Sequence, residues 1–302
     1  MRIRRTAVIL AAPLLFAAAA CAPVDEEPDS TASDPGASTS GSPSAGESSA
    51  GDACAKENLA TKMPGMLMVG TDSPAYDPWF RKNDPSNGKG FESAVAYAVA
   101  DQLGFTKDEV EWVKVPFNSS YKPGAKDFDF DINQISITPA RAKVVDFSDG
   151  YYQAAQAVIA VAGTPAAEAA SLADLKGLSL GAQTGTTSLT AVRDVIQPDS
   201  DPLVFEDTSL ATKALENGQV DAILVDLPTA FYITAAVMDG GVIVGQFQPE
   251  TGAQEEFGML FEKGSPLVTC VNQALGALRD DGTLATIETK WLSDTVGVPT
   301  LS

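Results

Sequence analysis

Residues 131–152 read DINQISITPARAKVVDFSDGYY. Residues 131–137 read as a strand, and Thr138-Pro-Ala-Arg141 follows it at once. In open α/β sheets, ligands sit beyond the carboxyl ends of strands. Arg141 therefore stands at a favoured place, and its planar fork suits a two-point contact with a carboxylate. It is equally compatible with a surface Arg pairing with Asp146.

Working outward, alternation continues on both sides. Upstream, residues 66–70 (MLMVG) predict a short buried strand ending at Gly. Phe91, Val95, Ala98, Val99 and Leu103 have helical spacing, with Gly104 at the C-cap position. Residues 110–115 are strand-like. Downstream, a second unit begins after Tyr151-Tyr152. Strands are expected at 157–161, 178–182, 220–225 and 257–261. Helices are expected near 172–177, from Gly185-Thr187 onward, and at 210–217, 267–278 and 284–291. Alternating β and α predicts an α/β protein with mostly parallel sheets. No internal repeat of solenoid period is present.

Three further strand ends carry chemistry. Gly181-Ala-Gln-Thr-Gly-Thr-Thr-Ser188 joins a strand to a helix, whose free N–H groups attract anions. A phosphate loop would need a Lys after its second Gly, so a small carboxylate at Thr187 fits better, or Thr187 is simply a helix cap. Asp226 ends the strand VDAILV and could receive an ammonium group, or cap the segment beginning Pro228. The loop after the first strand carries Asp72 and Tyr76, and Phe117 follows residues 110–115. Aromatics there can wall a pocket or serve as packing. The sequon Asn118-Ser-Ser120 is read as chance.

The chain of 302 residues carries 20 basic and 40 acidic side chains and no His. That excludes His-based triads and His metal ligands, and its acidity argues against nucleic acid as a partner. Neither metal nor cofactor is expected. Residues 1–20 combine a basic start, an apolar run and small residues, a secretory signal. The run is too short for the roughly 20 residues of a membrane span. Together with Cys21 it resembles the lipobox of bacterial lipoproteins, in which that Cys is lipidated. Residues 1–20 hold three Arg and no acid, so their removal takes the charge from −20 to −23. In residues 22–53, 24 of 32 are Ser, Gly, Pro, Ala or Thr and seven are acidic, the composition of a flexible tether or of a glycosylated stalk. If Cys21 carries lipid, Cys54 and Cys270 are left as a pair in an oxidising compartment, expected to form a disulfide or else to stay as two thiols.

The order GTD, SITPAR-x(4)-DFSDGYY, LADLKG, GAQTGTT, LENGQVDAILVD and DGTLATIETKWL resembles family 3 of the bacterial extracellular solute-binding proteins, which serve amino-acid ABC importers. The resemblance covers about residues 58–293. It implies a type II periplasmic-binding-protein fold, with two α/β lobes joined by two hinge strands and closing on ligand. The lobes would comprise residues 54–153 plus 252–302, and 154–251, preceded by the 1–20 signal and the 21–53 linker. The resemblance puts the carboxylate clamp on Arg141, with Ser136, Thr138 and Thr187, and the ammonium acceptor on Asp226. Asp72, Tyr76 and Phe117 would flank the side chain; Gln134 stands where the family often has a small Gly or Ser, and its amide is expected to contact the ligand. Partners would be a free, polar amino acid and a cognate permease. The protein would be a monomer held outside the cytoplasmic membrane by its lipid. A secreted dehydratase of the same fold and a ligand-presenting sensor are the alternatives.

Overall fold

The computed structural model describes residues 53–248, 255–292 and 297–302. The expected signal, Cys21 and the linker through residue 52 lie outside the described residues. The strands, in chain order, are β1 (Leu67–Thr71), β2 (Val110–Lys114), β3 (Phe130–Asp131), β4 (Asp146–Phe147), β5 (Tyr152–Ala154) and β6 (Gln156–Val161), then β7 (Leu180–Gln183), β8 (Leu203–Phe205), β9 (Ala222–Asp226), β10 (Gly241–Phe247), β11 (Glu255–Phe257) and β12 (Leu260–Phe261). The principal helices are α1 (Phe91–Gln102), α2 (Thr187–Ala191), α3 (Thr208–Glu216), α4 (Leu227–Tyr232), α5 (Leu267–Asp280) and α6 (Thr283–Leu292).

These form two five-stranded sheets, ordered β2-β1-β3-β12-β4 and β10-β6-β9-β7-β8. A separate antiparallel ladder of β5 and β11 marks where the chain passes from the first sheet to the second and back. The expected mostly parallel sheets are in fact mixed. β1 runs parallel to β2 and β3, and β7 to β8 and β9, whereas β12, β6 and β10 pair antiparallel. The returning strand β12 and the direct β5–β6 passage impose those antiparallel edges.

Apolar side chains explain the packing. In the first lobe, Trp79, Phe80, Phe91, Phe130, Phe257 and Phe261 are all fully buried. Trp79 meets Phe91, Tyr152 and Phe257 edge-on at 5.5–5.9 Å, an arrangement aromatic quadrupoles favour. α5 and α6 close this core against α1. The Cys54–Cys270 disulfide ties α5 to the start of the described fold. Gly90, before α1, has φ +100°, and a Cβ there would come within 2.4 Å of the Trp79 carbonyl. The second lobe has a core on each face of its sheet. Residues 252–302 do not all belong with the first lobe as expected. Leu301 is buried in the second lobe's core, and residues 299–301 exchange main-chain hydrogen bonds with Gln246 of β10. Burying Leu301 over Gly245 holds the tail there.

Candidate functional site

A cavity of about 410 Å³ opens at the carboxyl ends of β1, β2, β3, β7 and β9. Seven of the nine expected side chains line it: Asp72, Tyr76, Phe117, Gln134, Ser136, Thr187 and Asp226. Thr138 and Arg141 do not line it. Thr138 instead caps the single helical turn Pro139–Ala142, accepting the Arg141 N–H at 3.2 Å. That cap aims Arg141, which lies just behind the wall.

Arg141 is 8% exposed, and its guanidinium fastens the two lobes together. Nη1 donates to the Ser136 carbonyl at 2.8 Å, and Nη2 to the Gly185 carbonyl of the other lobe at 2.9 Å. Its flat face lies 4.8 Å from the Tyr121 ring and 5.5 Å from the Phe117 ring, a cation–π arrangement. Burial draws its pKa down, opposed by the nearby Tyr121, Glu255 and Asp226. Asp146 is not its partner. Asp146 pairs with Lys263 at 2.6 Å.

Thr187 is the first residue of α2 and not its cap. Thr186 caps, accepting the Leu189 N–H at 3.1 Å. The Thr187 hydroxyl is left to face the other lobe, 3.3 Å from Ser136 Oγ. Asp226 likewise precedes α4 without capping it by its side chain. Register explains what it does. Gln156 of β6 lies opposite Asp226 of β9, and Gln156 Nε2 donates to Asp226 Oδ1 at 3.0 Å. The same nitrogen donates to Glu255 Oε2 at 2.9 Å, while Ser136 Oγ donates to Glu255 Oε1 at 2.5 Å. Burial, then the neighbouring Glu255 carboxylate, holds the Asp226 carboxyl well above the usual range, against Gln156 and Arg141.

The rest of the lining is acidic too. Asp72, Glu206 and Asp207 join Asp226 in it, against Lys114 as the one cationic side chain in the lining. Asp72 also builds the wall, accepting the Ser73 N–H at 2.6 Å and the Phe117 N–H at 3.0 Å. Tyr76 reaches across the cleft to Ser209 Oγ at 2.9 Å. Asp207 caps α3 through the Leu210 N–H at 2.8 Å. Behind the wall, Gln134 adopts φ +48° because both its backbone N–H and its side-chain amide donate to Glu92. Tyr151 donates to the same carboxylate. Burial pushes Glu92 up to about 7, with the Tyr151 and Gln134 hydrogen bonds opposing. The carboxyl of Asp131, fully buried beside it, has no hydrogen-bond partner among the described residues, and burial, then the Glu92 charge, raises its pKa.

Gln156, Glu255 and Glu92 were not among the expected site residues. A lone amide in the apolar run AQAVIAV was a legible sign for Gln156. Glu255 and Glu92 carry no such sign, since each reaches the site only through long-range pairing. Among the described residues no group of three or more acidic or Cys side chains could hold a metal ion. No described helix is long and apolar enough to cross a membrane.

Together, two lobes face one another across hydroxyls and acids, with one buried guanidinium behind. Known proteins share this plan. The chain is 29% identical to the L-cystine-binding protein TcyJ of Escherichia coli over 78% of this chain and 87% of that protein. It is 27% identical to the arginine-binding extracellular protein ArtP of Bacillus subtilis over 75% and 86% respectively. It superposes with a TM-score of 0.64 and 28% identity on the arginine-, lysine-, histidine-binding protein ArtJ of Geobacillus stearothermophilus, covering 78% of this chain and 96% of that one. The architecture is thus the two-lobed α/β periplasmic-binding-protein fold of type II, with β5 and β11 as the hinge strands. Residues 67–294 match the profile of one family throughout, and the chain belongs to the bacterial extracellular solute-binding proteins, family 3.

Proposed function

We propose that this protein captures an amino acid with a cationic side chain between its lobes and delivers it to an ABC importer. One observation carries the choice of ligand. Besides Asp226, the cavity lining presents Asp72, Glu206 and Asp207 against a single Lys114. A zwitterion taken from water needs both its charges answered. On this reading Arg141, Ser136 and Thr187 receive the α-carboxylate, Arg141 by re-aiming its fork, while Asp226 receives the α-ammonium. Thr138 acts through Arg141, and Tyr76, Phe117 and Gln134 shape the side-chain end. The arginine- and cystine-binding relatives support an amino acid as ligand. The chain has no His to act as a general base, which favours capture over catalysis.

Lipidation at Cys21 would hold the domain, as a monomer, on the outer face of the cytoplasmic membrane. The Ser/Gly/Pro-rich segment to residue 53 would give it reach toward the permease. The test is a thermal-shift panel of the unfolded and refolded protein against the twenty L-amino acids. Ligand at a thousand times Kd adds about 4 kcal/mol. The largest shifts are expected for arginine and lysine. A protein that shifts only with glutamate or aliphatic amino acids refutes the cationic assignment.

A further inference from the structure

Gln156 is fully buried at the meeting point of lobe and hinge. Its side-chain nitrogen donates to two carboxylates at once, Asp226 at 3.0 Å and Glu255 at 2.9 Å. Its own carbonyl oxygen, Oε1, has no hydrogen-bond partner. Backbone pairing makes this convergence structural. Gln156 lies opposite Asp226 in the β6–β9 ladder, and Glu255 lies opposite Ala154 in the β5–β11 ladder. Neither carboxylate is hydrogen-bonded by Arg141, which donates to the Ser136 and Gly185 carbonyls. Two carboxylates converging on one amide N–H2 suit a group that only donates, and an ammonium offers three N–H bonds. Two carboxylates sharing a buried site resist ionising together.

We propose that Glu255 is a second acid of the ammonium subsite beside Asp226, and that binding of the ligand ammonium expels a proton held on Asp226. The inference rests on the amino-acid reading above. The balance is simple. The ligand enters with its ammonium intact, one carboxylic acid becomes a carboxylate, and its proton leaves to the buffer. No bond of the ligand changes. The raised pKa of Asp226, from burial and from Glu255, agrees with a proton held there. The other groups facing the pair are Arg141, Glu92, Tyr151 and Tyr152. Of these, Arg141 favours ionisation and Glu92 opposes it.

Because Glu255 lies on a hinge strand, the same proton ties ligand binding to the place where the lobes swing. Isothermal titration calorimetry with L-arginine, and with L-glutamine as a second probe, tests this in buffers of different ionisation heat between about pH 6 and 7.5. Release of about one proton per ligand is expected, with affinity falling up to about tenfold per pH unit on acidification. Glu255→Gln leaves one acceptor oxygen where the carboxylate offers Ser136 and Gln156 one each, removes the neighbouring charge that helps hold Asp226 up, and should release clearly less than one proton with a flatter pH profile. Wild-type binding that releases no proton overturns the proposal without recourse to any variant. So does a Glu255→Gln protein that still releases one. If the folded wild type gives no heat with either probe and no thermal shift with any amino acid, the amino-acid reading falls, and this inference with it.

Discussion

The two walls of the cavity are built differently. The second lobe offers groups at the ends of regular elements: Thr187 at the start of α2, and Asp226 at the end of β9. The first lobe offers irregular loop, interlaced with acids beneath it. Asp72 holds Phe117, Glu92 holds Gln134, and Thr138 holds Arg141. The first wall is thus fixed from behind by its own buried groups, while the second brings hydroxyls and a carboxylate to it. On the proposed function, recognition needs both, because Arg141 and Asp226, which would answer the two charges of the ligand, stand on opposite lobes.

The sharpest way to break this division is to remove the buried guanidinium behind it. Arg141→Ala deletes the clamp and leaves the Ser136 and Gly185 carbonyls without their donor. Truncating a buried, hydrogen-bonded charge costs about 2–5 kcal/mol, so affinity should fall roughly 30- to several-thousand-fold in calorimetry. A variant that binds every amino acid as the wild type does would mean the carboxylate is held elsewhere. The support behind the first wall should show itself next, in stability. Burial holds the Glu92 carboxyl up at about 7, against 4.5 for an ordinary glutamate. A carboxyl raised in this way makes the folded state hold a proton that the unfolded state gives up. Stability is therefore greatest below about pH 4.5 as far as this group is concerned, and falls as pH rises toward about 7, by roughly 3 kcal/mol. Urea unfolding at intervals between pH 5 and 8 should show that slope, and Glu92→Gln should reduce it. An unchanged slope in the variant would assign the effect to Asp131.

The same contrast decides what could be read in the sequence. The second wall was legible because strand ends and helix starts leave local marks: the apolar run before Asp226, and the Gly-Thr-Thr after Gln183-Thr184. The bland alternatives at Thr187 and Asp226 could be dismissed only in three dimensions, since Thr186 does the capping of α2 and Asp226 turns to Gln156. The first wall was partly misread. The expected strand 131–137 is confined to Phe130–Asp131, because Gln134 adopts a positive φ and turns toward Glu92. The expected strand 257–261 is broken at Gly258-Met259 into β11 and β12. Local hydrophobicity cannot reveal such breaks, because both segments remain largely buried throughout. Strand direction was equally hidden. The antiparallel β6–β9 ladder depends on a partner about 66 residues away.

A smaller substitution tests whether the walls must touch. Gly185 has φ +75°, and a Cβ on it would lie 2.1 Å from Asn118 Oδ1 and 2.3 Å from the Tyr121 hydroxyl, both on the first wall. Gly185→Ala therefore wedges the lobes where Arg141 reaches across. Ligand affinity should weaken about tenfold or more, about 1.4 kcal/mol. Small-angle scattering should show a reduced compaction on adding ligand. Normal affinity with normal compaction would show that Asn118 and Tyr121 yield freely, and that the contact at Gly185 does not govern closure.

The mildest probe leaves shape untouched. Tyr76 and Ser209 are 133 positions apart, yet their hydroxyls meet at 2.9 Å, one from each lobe. Burial raises the Tyr76 pKa, against the Ser209 bond, so the hydroxyl stays protonated at neutral pH. Tyr76→Phe removes the bond and keeps the ring that walls the cavity. A single neutral hydrogen bond contributes about 0.5–1.5 kcal/mol, so affinity should fall about two- to twelvefold, with the ranking of amino acids preserved. Ser209→Ala should do the same, and the double variant should cost no more than either alone, because only one bond is lost. If instead Tyr76→Phe reorders the ligands while Ser209→Ala does not, the hydroxyl belongs to the side-chain end of the cavity and not to the fastening of its two walls.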